Sequence, residues 1–148
     1  MNKRPLRRRP NGAAERPLVF SLLGTAHLIE ARLEAAVGRV GLSLAKTGLL
    51  KHLAGTGKPV ALSELAAQQQ CVRSNITQLV DRLEKDGLVR RCHDPADRRR
   101  VRAELTAAGV RAYARGLRVL EAEQRAIVRG LSVGAAANFR RFLRLLAR

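Results

Sequence analysis

Residues 72–87 constrain the fold more than any other part of the sequence. Ile76, Leu79, Val80 and Leu83 recur at i, i+3, i+4 and i+7, the spacing of one apolar stripe on an α-helix. Such a helix must lay that stripe on a core. Its opposite face carries Ser74, Gln78 and Lys85, flanked by Arg73, Asn75, Thr77 and Arg82. Gly87 ends it, because a residue without Cβ takes the left-handed C′ position at no steric cost. Side chains of these types on one exposed face match the donors and acceptors that read base edges and phosphates. A merely solvated amphipathic helix has the same look over this stretch alone, so the neighbouring segments decide.

Upstream, Ser63 is an N-cap residue for a short helix over residues 64–70. A short helix, a brief turn and the striped helix make a helix-turn-helix. Downstream, the β-prone runs 88–93 and 101–105 flank a loop with Asp94, Pro95, Asp97, Arg98, Arg99 and Arg100, which reads as a hairpin with an arginine-laden tip. A helix-turn-helix followed by such a hairpin is a winged helix. Before it, Ser43 caps a helix over 44–53, the turn residues Gly55, Thr56 and Gly57 follow, and residues 58–62 are long enough only for a single bridging strand.

The two ends of the chain read differently. Residues 18–40 form one long helix in which Val19, Leu22, Ala26, Ile29, Leu33, Ala36 and Val40 alternate steps of three and four. Thr106 caps a second long helix to about residue 129, with Val110, Tyr113, Leu117, Leu120 and Ile127 on a heptad-like seam, and Ser132 caps a last helix in which Phe139, Phe142, Leu143 and Leu146 share a face. These seams are most economically buried against a second copy, giving a two-fold dimer, although a helical cluster within one chain also satisfies the pattern.

The 148-residue chain has 29 Lys and Arg against 12 Asp and Glu, a net charge of +17. That imbalance favours a polyanionic partner, nucleic acid before an acidic membrane. Aromatic residues are 3% of the chain and Trp is absent, which argues against a single-strand stacking platform and leaves duplex DNA. Residues 1–16, with Lys3, Arg4, Arg7, Arg8, Arg9 and Arg16 among Pro5, Pro10 and Gly12, read as a disordered basic arm. The arginines ahead of the apolar run 18–29 imitate a signal peptide, but Glu30, Arg32 and Glu34 follow at once and the helical period continues, so a cytoplasmic protein is expected. No run reaches the ~18 apolar residues of a membrane span.

Two cysteines, Cys71 and Cys92, are too few for a disulfide scaffold, and Cys92 and His93 have no zinc-ligand spacing to His27 or His52. Neither a metal nor a cofactor is expected. The chain has no Gly-rich phosphate loop, nucleophile motif or paired apolar carboxylates, so an enzyme is the least supported class.

With these elements placed, the sequence resembles the multiple-antibiotic-resistance regulator (MarR) family of bacterial transcription factors. The resemblance rests on Leu65-Ala66, on Arg73-Ser74-Asn75-Ile76-Thr77-Gln78-Leu79-Val80-Asp81-Arg82-Leu83-Glu84, on Gly87-Leu88-Val89, on Asp94-Pro95-Ala96-Asp97-Arg98-Arg99, and on Leu105-Thr106 with Gly109. It implies a mainly α fold with a small β wing: a winged helix-turn-helix over 43–105, and dimerisation helices over 17–42 and 106–148. It also implies a homodimer on a pseudo-palindromic operator, with Arg99 in the minor groove and Asp97 bracing it. Gln69, Gln70 and Val72 depart from the family's usual turn, and Thr47 stands where the second helix often carries an aromatic.

The resulting expectation is a dimeric, sequence-specific, duplex-DNA-binding regulator, a repressor released by a small-molecule effector. Its DNA contacts are Arg73, Ser74, Asn75, Thr77, Gln78, Arg82, Asp97, Arg98, Arg99 and Arg100, and His27 and Thr47 are the candidates for touching an effector. Two alternatives remain. One is a redox-sensing regulator of the same fold, using Cys71 ahead of a helix N-terminus and near Arg73, a setting that activates a thiol. The other is a non-specific DNA-compacting protein.

Overall fold

The stripe of the organising helix is buried as its spacing demands. A computed structural model of the chain describes residues 17–68, 73–94, 97 and 100–147. In it, helix α4 (Arg73–Lys85) buries Ile76, Val80 and Leu83. Its C-terminus closes on Gly87, at φ +70°, with the two hydrogen bonds of a Schellman motif. Leu88 N–H donates to Leu83 O at 2.9 Å and Gly87 N–H to Glu84 O at 2.9 Å. Leu88 itself is half-buried against the core, so the chain leaves the helix already aimed into the wing.

The elements before α4 build the floor beneath it. Helix α1 (Leu18–Gly38) ends in a turn, with Gly41 at φ +76°. Helix α2 (Leu44–Thr56) is capped twice: Ser43 Oγ accepts from Lys46 N–H at 3.1 Å, and Glu34 Oε2, reaching over from α1, accepts from Leu44 N–H at 2.8 Å. The helix runs past the expected end at Leu53. Gly55 and Thr56 continue it, and the positive φ that stops it (+62°) lies at Gly57. The bridging strand is β1 (Val60–Ala61).

Helix α3 (Leu62–Gln68) then begins one residue before Ser63, which corrects its reading as the cap. The chain passes from strand to helix without a spacer because Leu62 is already buried, and Ser63 is left exposed in the first turn. Strands β2 (Val89–His93) and β3 (Val101–Leu105) form the hairpin. The sheet order is β1-β3-β2, all antiparallel, with Val60 opposite Ala103 and Arg90 opposite Glu104. Leu49, Leu50, Leu65, Ile76, Leu83 and Val89 meet beneath α4, each burial contributing roughly 1.5–3 kcal/mol.

Helix α5 (Ala107–Val128) starts on the wing itself. Thr106 Oγ1 accepts from Gly109 N–H at 3.0 Å and donates to Gly87 O at 2.7 Å, so one hydroxyl caps α5 and ties it to the end of α4. Helix α6 (Val133–Leu146) is capped by Ser132 through Ala135 N–H at 3.2 Å and has no buried residue. Helices α1 and α5 pack together, and Arg32 and Glu123 join them at 2.6 Å. The predicted seam is therefore partly used within the chain: Leu120 lies against the core, whereas Leu117 stays 36% exposed.

Candidate nucleic-acid interface

On α4, Asn75, Thr77, Gln78, Arg82 and Lys85 are all exposed, opposite the buried stripe. The helix presents polar and basic groups outward because its apolar residues are already committed to the core. Cys71, Arg98, Arg99 and residues 1–16 lie outside the described residues, as do the side chains of Arg73 and Ser74.

The pose of α4 depends on a residue that the sequence reading did not single out. Arg91, on β2, places Nη1 2.5 Å from Asp81 Oδ1 and 2.9 Å from Glu84 Oε2. Its Nη2 donates to Thr77 O at 3.3 Å, and its backbone N–H donates to Glu84 Oε1 at 3.0 Å. Half-exposed ion pairs contribute at most about 1 kcal/mol each, so the consequence is geometric and electrostatic rather than a large gain in stability. The helix is fixed to the wing strand, and two carboxylates beside the outward face are neutralised. The signal was present in Asp81 and Glu84, two acids on a helix otherwise suited to phosphates.

The wing stem has a second such device. Asp94 is 5% exposed, and Arg102 donates to its Oδ2 from Nε at 2.8 Å and from Nη2 at 2.5 Å. Arg102 Nη1 also donates to Pro59 O at 3.3 Å, which anchors the stem to the segment entering β1. Above it, Asp94 N–H donates to Arg100 O and Arg100 N–H to Asp97 O, both at 2.9 Å. Arg100 Nε lies 3.5 Å from Asp97 Oδ2, and both side chains remain open to solvent. Arg102 thus belongs to the frame of the hairpin, while Arg100 belongs to its open side.

The candidate effector residues stand in different surroundings. His27 is exposed on α1, whose buried residues, Ala36 and Val37, lie at the far end of that helix. Thr47 is buried on α2, and its hydroxyl donates to Ser43 O at 2.8 Å. A cavity of about 300 Å³ opens elsewhere, between the end of α2, β3 and the start of α5, lined by Leu53, Ala54, Lys58, Glu104 and Val110. Cys92, half-buried on β2, has its thiol pKa pushed up, first by burial and then by the Glu104 carboxylate. Among the described residues, no three His, Cys, Asp or Glu side chains are grouped to hold a metal ion, and no helix is long and apolar enough to cross a membrane.

The sequence model of the MarR family matches residues 42–101. No curated protein matches the chain. Among solved structures, a probable transcriptional regulator from Pseudomonas aeruginosa is 27% identical, with 87% of this chain and 96% of that one covered and a TM-score of 0.74. A MarR-family transcriptional regulator from Rhodococcus sp. RHA1 is 24% identical over 87% of this chain and 92% of its own, with a TM-score of 0.74. A cysteine-to-serine mutant of MarR from E. coli, solved in complex with operator DNA, shares the fold at 18% identity, 89% and 94% coverage and a TM-score of 0.78. The matched segment begins at the buried Leu42 and ends at Val101 in the wing, so the stretch that is similar to the MarR family contains the α4 face and Arg91, which braces it.

Proposed function

We propose that the chain is a dimeric transcriptional regulator that binds duplex DNA sequence-specifically, with α4 in the major groove and the wing tip in the adjacent minor groove. The observation that carries this reading is the outward face of α4: Asn75, Thr77, Gln78 and Arg82 are exposed together, on a helix held to the wing by Arg91. The operator-bound E. coli structure of the same fold supports it. A homodimer is supported by the apolar side chains left open on the terminal helices, among them Phe20, Leu28, Phe139 and Leu146. Repression relieved by a small molecule completes the proposal; an effector acts through its different affinity for two spacings of the recognition helices.

Selection of bound sites from a random duplex pool tests it. The expected product is a pseudo-palindrome with half-sites about 10–10.5 base pairs apart, and no enrichment over the input pool defeats sequence-specific binding. Gln78→Ala should reduce discrimination between the selected site and random DNA by ~1–3 kcal/mol. At the wing, Arg99→Ala should weaken binding strongly and Asp97→Ala more modestly, whereas tighter binding by Asp97→Ala rules out the bracing role of that carboxylate.

A further inference from the structure

Helix α5 carries a second basic surface that none of the roles above uses. Arg111, Arg115, Arg118, Arg125 and Arg129 are all exposed, and Arg129, the C-cap, still has helical dihedrals. At 100° per residue these five positions fall within about 80° of one another, a straight stripe about 27 Å long. The stripe lies opposite the side that bears Tyr113, Leu117, Leu120 and Ile127, so the packing of α5 on its own chain, or on a second copy, leaves it open. None of the five arginines makes an ion pair among the described residues. Glu121 sits at the stripe's edge, and Glu123, on another side of the helix, is engaged by Arg32.

Five unpaired guanidinium groups in line repel one another, and that arrangement is stabilised by a linear polyanion. We infer that the arginine stripe of α5 is a second, sequence-blind track for the phosphate backbone of duplex DNA, taken either by DNA flanking the primary site or by a second duplex segment. The inference rests on the DNA-binding reading proposed above and adds a surface to it. Three observations favour DNA. The stripe begins at Arg111, five residues after Thr106, whose hydroxyl is tied to Gly87, so α5 starts beside the end of the helix proposed to meet DNA. Successive arginines rise by about 4.5–6 Å along most of the stripe, comparable to the distance between neighbouring phosphates. On α5 Ala112 and Gly116 are buried and the large apolar side chains left exposed are Val110, Leu117 and Val128, spaced seven and eleven residues apart, which is sparser than the broad apolar face an interfacial helix lays into a bilayer.

The test measures the salt dependence of binding to a random-sequence duplex of about 50 base pairs, for the wild type and for a variant with all five arginines changed to glutamine. Glutamine keeps helix propensity, and a second variant, Arg118→Gln with Arg125→Gln, serves as a milder probe. The slope of log K against log salt should become shallower by about 0.9 for each phosphate contact removed, at least about 2 for the full set and about 1 or more for the pair. A five-fold lysine variant should retain the wild-type slope. The preference for the selected site over random DNA should stay unchanged, because both lose the same contacts.

Unchanged slopes in both glutamine variants, with the wild type binding DNA, overturn the stripe alone. A wild type that binds no duplex overturns this inference and the proposed function together. Binding to phosphatidylserine-containing vesicles that is lost in the glutamine variants, while their DNA slopes stay at the wild-type value, assigns the stripe to a membrane surface and also overturns it.

Discussion

The winged lobe and the terminal helices satisfy their apolar residues in opposite ways. Among the described residues between Leu42 and Leu105, no large apolar side chain is exposed; Leu49, Leu50, Leu65, Val80 and Leu83 are all at 0%. Every exposed large apolar residue lies outside that span, from Leu18 at 66% in α1 to Val133 at 89% at the start of α6. One region closes its core with its own chain, while the other leaves large apolar side chains open. The first should be stable at any dilution, and the second should depend on association, since whatever binds only the folded state stabilises it by mass action.

Cavity formation in the lobe gives the largest expected effect. Leu50→Ala should cost ~2–5 kcal/mol, and the loss should be the same at high and low protein concentration. Phe139→Ser with Leu143→Ser should act the other way: little loss in dilute solution, and removal of the concentration dependence of Tm. Sedimentation should show that pair shifted toward monomer. If the wild-type Tm does not rise with concentration, the contrast between the two regions is lost.

The junction between them comes next. A Cβ on Gly109 would stand 1.9 Å from Leu88 O, whereas one on Gly116 would meet the end of the Leu42 side chain at 2.8 Å. Backbone cannot retreat as a side-chain terminus can, so Gly109→Ala should destabilise by about 3 kcal/mol or more and Gly116→Ala by about 1 kcal/mol. Thermal unfolding of the two variants ranks them, and equal losses would mean that α5 slides on the wing without cost.

Within the lobe, Asp94→Ala removes the buried acceptor of Arg102 and should cost about 1–3 kcal/mol. It should also weaken DNA binding, although a negative charge has been deleted. Tighter binding would mean that the stem tolerates the loss and that only the charge mattered.

The smallest effect concerns Cys92. With its pKa raised by burial, the thiol stays protonated through neutral pH. In a Cys71→Ser background it should alkylate more slowly than a free cysteine peptide until the pH passes the ordinary thiol range of about 8.5. The same shift contributes stability below that range, which is lost as pH rises through the raised native value. Rapid alkylation at neutral pH would place the thiol in open solvent.

The parts legible in the residues alone are those whose physics is local. The α4 stripe, the caps at Ser43, Thr106 and Ser132, and the glycine stop at Gly87 all involve partners within a few residues, so spacing encodes them. Ser63 was misread because strand-to-helix continuity, rather than capping, sets the start of α3, and that choice depends on where Leu62 is buried.

Tertiary structure alone decided that Glu34 caps a helix other than its own, that Arg91 braces α4, and that Arg102 serves the frame of the wing rather than its tip. In the same way it brought Arg32 to Glu123, 91 residues away. A charged side chain carries no mark of its partner in the sequence. Its role is set by which opposite charge or carbonyl the packed core brings within about 3 Å, and the core is a property of the whole lobe.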